Sequence, residues 1–131
     1  MANFEKDPNI RSTKYINLAV DSGILHCVYK DIELLDLDIA KICVQDRLEF
    51  IQGETYPSLF DITRIKQSTK EARDYLANEG NDFVSASAIL ISSPMVRMSA
   101  NFFIQVNKPK NPTRMFTNQP SALEWLAQYK G

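Results

Sequence analysis

Thr113-Arg-Met-Phe-Thr-Asn-Gln-Pro-Ser-Ala-Leu-Glu-Trp-Leu-Ala-Gln-Tyr129 is the stretch that decides the fold. Residues 114–116 form a short strand that runs into a polar turn. Pro120 then opens a helix, because its missing N–H would be unpaired at the first helical position anyway. Leu123, Trp125, Leu126 and Tyr129 make most of that helix apolar. A strand, a turn and a helix at the end of the chain close an α/β domain.

Working outward, the same unit recurs. Residues 15–20 and 24–29 are strands around the turn Asp21-Ser-Gly23, so together they predict a hairpin. Residues 36–52 predict the longest helix. Ile39, Ala40, Cys43, Val44, Leu48 and Ile51 recur at steps of three and four, with Lys41, Gln45, Asp46, Arg47 and Glu49 assigned to the other face. Asp36 or Asp38 caps its start and Gly53 stops it. A third strand covers residues 58–62. Ser68-Thr-Lys-Glu71 has capping-box spacing, with Ser68 as the cap of a second helix that ends at Gly80. Residues 83–91 are a fourth strand, whose small Ser85, Ala86, Ser87 and Ala88 suit a central position approached closely by helices. Ser93-Pro94 opens a third helix carrying Met95, Met98, Phe102 and Val106 along one side, with Phe103 adjacent. The expected order is ββαβαβαβα, a mixed sheet in which strands two to five are parallel and strand one is antiparallel. Residues 1–13 are expected to be a flexible arm and residues 14–131 a single domain.

The 131 residues are 44% hydrophobic and 24% charged, ordinary for one globular domain, and the net charge of −1 supplies no field for nucleic acid. The apolar runs are too short to span a bilayer and the start lacks a signal-peptide pattern. Cys27 and Cys43 read as buried reduced thiols. One histidine, His26, and no cysteine cluster leave no metal site. There is no P-loop, GxGxxG or GxSxG pattern. These features predict a cytoplasmic protein without catalytic machinery, cofactor or membrane insertion.

The element order, with Arg114-Met-Phe-Thr117 and Ala122-Leu-Glu-Trp-Leu126, resembles the SpoIIAA-like, or STAS-like, superfamily over residues 14–129. Residues 57–64, Glu71-Ala-Arg73 and residues 102–109 are similar to uncharacterised bacterial members of Bacteroidetes type. The resemblance implies a non-catalytic regulatory domain acting through protein–protein contacts or small-anion sensing. In anti-sigma-factor antagonists of this fold, a serine in an Asp-Ser-[Ser/Thr]-Gly stretch is phosphorylated. The corresponding place here is residues 61–69, where Asp61 matches the acidic residue but the serine–glycine pattern is missing. Ser68 and Thr69 are the hydroxyls left there as candidate phosphosites.

Ligands of open parallel sheets collect beyond the carboxyl ends of the strands. The expected anion- or partner-binding loop therefore holds Asp61, Thr63, Arg64, Lys66, Ser68 and Thr69, joined by Ser92 and Ser93 and by the turn at Thr117–Gln119, with helix N-termini favouring an anion. Met95, Met98, Phe102 and Phe103 are the expected face for homodimer formation. The alternative expectation is a small-molecule or lipid carrier with its pocket between the sheet and that third helix.

Overall fold

The computed structural model describes residues 9–92 and 111–130. Among these residues eight strands and three α-helices follow one another as β1 (Ile10–Ser12), β2 (Ile16–Asp21), β3 (Ile24–Tyr29), β4 (Ile32–Leu35), α1 (Leu37–Ile51), β5 (Tyr56–Asp61), β6 (Ile65–Ser68), α2 (Lys70–Asn78), β7 (Val84–Leu90), β8 (Thr113–Phe116) and α3 (Gln119–Ala127). A single 3-10 turn, Glu79–Asn81, extends α2. The helix expected over residues 94–106, with Met95, Met98, Phe102, Phe103 and its cap Ser93, lies outside the described residues.

The main sheet has the order β1-β2-β3-β5-β7-β8. Its β1–β2 and β2–β3 pairs are antiparallel, and β3, β5, β7 and β8 are parallel. The hairpin turn is tight because Ser22 and Gly23 both take positive φ, 53° and 78°, the pairing that matches the twist of the flanking strands. Parallel strands laid down in consecutive order require crossovers of one hand, so α1 and α2 lie together on one face of the sheet. The helix α3 covers the opposite face. There Ala86 and Ala88 of β7 have side chains small enough for Ala122 and Leu126 to seat against them, and Ile24, Leu59 and Leu90 complete that core. Phe116, Trp125 and Tyr129 meet along its margin at ring separations of 5.7 and 5.1 Å, the first pair tilted and the second edge-to-face. The larger core lies beneath α1 and α2, around Leu18, Leu25, Cys27, Phe60, Ala40, Cys43 and Ala72.

Three strands go beyond the expected order. Residues 10–12, assigned to the arm, are β1, held by Leu18 opposite Arg11. The strands β4 and β6 form a separate two-stranded parallel sheet, with Ile32 opposite Ile65 and Leu35 opposite Ser68. Isolated four-residue segments with one or two buried side chains carry no period of their own. They become strands only because the fold lays one against the other.

That small sheet sets the two helix starts side by side. The Asp36 carboxylate accepts from the Ile39 N–H at 2.9 Å and caps α1. The cap of α2 is Thr69, not Ser68: the Thr69 hydroxyl accepts from the Ala72 N–H at 3.1 Å, while the Thr69 N–H donates to the Leu35 carbonyl. Ser68 remains in β6, its residue number one too early for a cap. Thr69→Ala is expected to lower stability in urea unfolding by about 1 kcal/mol. Ser68→Ala is expected to change it by less than about 0.5 kcal/mol. Equal losses would return the cap to Ser68.

Candidate functional site

Among the described residues, two places bring polar groups together. The first is the carboxyl rim. Asp61, Leu90 and Phe116 end their strands on one level, so Asp61, Ser92 and Thr117 do share an edge of the sheet. The expected strand-to-helix loop from Asp61 to Thr69 is not one loop, however. It is a turn followed by β6.

The polar residues expected to form that loop are engaged with neighbours in the fold. The Asp61 carboxylate accepts from the Thr63 N–H at 3.0 Å and from the Thr63 hydroxyl at 2.6 Å, an Asx turn. Arg64 donates from one edge of its guanidinium, through Nε and Nη2, to the two carboxylate oxygens of Asp31 on the strand-to-strand connection before β4, at 2.9 and 2.7 Å. That bond holds the Asp31 carboxyl below the usual carboxylate range and raises the Arg64 guanidinium in turn. Lys66 faces Glu33 at 3.9 Å. Ser68 accepts from the Arg73 guanidinium through its carbonyl, at 2.7 Å, and its hydroxyl, at 3.3 Å. The cations expected to attract an anion therefore face carboxylates across the β4–β6 ribbon. At the third position, Asn118 caps α3 by accepting from the Ser121 N–H.

The second place was not expected. Between the sheet and the α1–α2 pair lies a cavity of about 70 Å³. It exists because the residues meeting there are small: Ser87 on β7, Ala77 on α2 and Gly80 in the turn that follows. Its walls are apolar, with Val44, Phe60, Leu76 and Ile89. At one end stand Arg47, Asn81 and Ser87, and Tyr29 with the thiols of Cys27 and Cys43 completes the lining.

Arg47 is 2% exposed, so its assignment to the solvent face of α1 is corrected. Its guanidinium donates to the Gly80 and Asp82 carbonyls, both at 3.0 Å, and so fastens α1 to the end of α2. Those carbonyls sit where a helix presents its negative end, which suits a cation. Burial lowers the Arg47 guanidinium from its ordinary value, opposed by the charge of nearby ionisable groups. The signal was in the sequence: position 47 falls in the stripe Ala40, Val44, Arg47, Ile51 that the helix buries. Asn81 is locked too, donating to the Ala77 carbonyl at 2.6 Å and accepting from the Ser87 hydroxyl at 3.2 Å. On the same strand, the buried Ser85 hydroxyl has no partner among the described residues.

Both thiols are free and buried, and burial pushes each up to about 12, with Arg47 opposing the shift at Cys27. His26, on the other side of β3, is lowered by burial, with Asp21 opposing. Among the described residues no group of three or more His, Cys, Asp or Glu side chains can hold a metal ion, and no helix is long and apolar enough to cross a membrane.

A mixed sheet with α1 and α2 on one face and α3 closing the other defines a SpoIIAA-like α/β domain. The crystal structure of an uncharacterised protein of the DUF3478 family with a SpoIIAA-like fold, from Shewanella loihica PV-4, superposes with a TM-score of 0.60. The match covers 88% of this chain and 98% of that one at 16% identity, so what the two share is the fold. The chain belongs to the family described as a domain of unknown function (DUF7793), whose model matches residues 18–130. No curated protein matches the sequence.

Thiols held in the protonated form by burial react slowly. Native protein at pH 8 is expected to leave both cysteines unmodified by Ellman's reagent over an hour, with two equivalents released on addition of guanidinium. Rapid release from the native protein would show that one of them is open to solvent.

Proposed function

We propose that this domain is a non-catalytic binding module whose ligand is a small organic molecule held in the cavity beneath α1 and α2. The observation that carries the reading is the composition of that cavity: apolar walls with a few buried polar groups converging at one end, the usual make-up of a ligand site. The carrier reading thus gains support at a site different from the one expected beside the third helix. The rim residues support it less, because their side chains are already engaged with one another. A bacterial, cytoplasmic regulatory role, in which ligand occupancy is passed to a protein partner or a second copy, is consistent with the SpoIIAA-like fold and is part of the proposal.

Purified protein examined by native mass spectrometry is expected to carry additional mass from a bound small molecule. Ala77→Leu, which adds three carbons to the cavity wall while keeping a strong helix former in α2, is expected to fold and to lose that mass. Wild-type protein of bare chain mass under gentle conditions, unresponsive to added small molecules in a thermal-shift screen, would remove the reading.

A second reading, protein contact through the β4–β6 ribbon, is favoured by Leu34, a large apolar side chain 44% exposed on β4. The pairs Asp31–Arg64 and Glu33–Lys66 bridge the same ribbon. Its partner across the ribbon is Gln67, and an exposed apolar side chain set among polar ones is a common feature of interfaces. Capture of a specific partner is expected to fail with Leu34→Asp and with Arg64→Glu, and unaltered capture by both variants would take the ribbon out of consideration.

A further inference from the structure

We infer that the cavity selects a short-chain monocarboxylate, with Arg47 meeting its carboxylate and the apolar walls meeting its chain. This rests on the cavity being the binding site.

The argument starts from charge. A guanidinium stays protonated in proteins even when buried, so Arg47 brings one positive charge into the interior. Its hydrogen bonds run to two carbonyl oxygens, which are dipoles and carry no net charge. Only two of its five N–H donors are used in this way. The Asp82 carboxylate acts on Arg47 through space, but the bond to that residue is made to its main-chain oxygen. The end of the cavity at Arg47 is consequently positive, a field that the Asp82 carboxylate reduces. It disfavours cations, and it rewards an anion that brings its own charge and accepts the remaining donors. Tyr29, on the same wall, adds a phenol that burial keeps protonated and able to donate.

Size and shape narrow the class. A space of about 70 Å³ walled by Val44, Phe60, Leu76 and Ile89 suits a small group with an alkyl tail. A doubly charged phosphate would bring more charge than one arginine balances and would set it against apolar walls. A planar carboxylate matches the guanidinium edge, and its chain matches the walls.

The test compares butyrate with 1-butanol, which has the same carbon chain without the charge, by amide chemical-shift titration of the full-length protein. Butyrate is expected to bind at least about tenfold more tightly, the factor that one charge-assisted hydrogen bond supplies. Shifts are expected to centre on Tyr29, Val44 and Ile89. In Arg47→Met, which keeps the apolar stem, the preference is expected to fall to about twofold or less. Arg47→Lys is expected to retain part of it. Butanol binding in the cavity as tightly as butyrate would overturn the inference while leaving the cavity as a ligand site. Butyrate binding undiminished in folded Arg47→Met would do the same. Neither compound shifting the cavity amides would overturn the inference, whereas the wider reading would still be decided by the mass of the native protein. The wild-type comparison stands by itself if Arg47→Met fails to fold.

Discussion

The hold of Arg47 on the Gly80 and Asp82 carbonyls is the interaction on which the rest of this architecture turns. It fixes α1 to the connection that carries the chain from α2 into β7. Without it, two carbonyls at a helix end would be buried without donors, a cost of about 1–3 kcal/mol for each. With it, the two helices are set at a distance from the sheet that their small facing residues do not fill. The cavity is therefore a consequence of how the helices are fastened, and the charge that fastens them is also the charge inside it.

The two faces of β7 show how one strand serves two purposes. Ala86 and Ala88 on one side admit α3 closely, and Ala122 and Leu126 pack against them. Ser87 is comparably small on the other side, but there α2 and the turn after it present Ala77 and Gly80, and space remains. Small residues on both sides of an interface leave a void, whereas small against large makes contact.

Much of the domain could be read from its residues. The hairpin was legible because Asp21-Ser-Gly23 supplies the backbone angles a two-residue turn demands. The helix α1 was legible from its stripe, and α3 from Pro120 and the apolar residues behind it. The strands β1, β4 and β6 were not, since three or four residues cannot express a period. Thr69 and Ser68 are both competent caps, and only the pairing of Ser68 with Leu35 decided which of them lies outside the ladder. Arg64 and Lys66 looked like free cations because Asp31 and Glu33 lie some thirty residues away. The small sheet brings these four charges onto one ribbon, where exposed pairs neutralise one another at little gain in stability.

By itself, then, the amino-acid sequence determined the alternation of strands and helices and the handedness with which they wind, because periodicity, turn residues and caps act over a few residues at a time. The spacing that puts Arg47 in the stripe of Ala40, Val44 and Ile51 was present in it too, although the charge of Arg47 pointed to the polar face. Only the tertiary structure decided that this arginine faces carbonyls instead of water, and that the polar rim pairs with itself. Those outcomes depend on contacts between segments far apart along the chain, where local preference has no influence and packing geometry does.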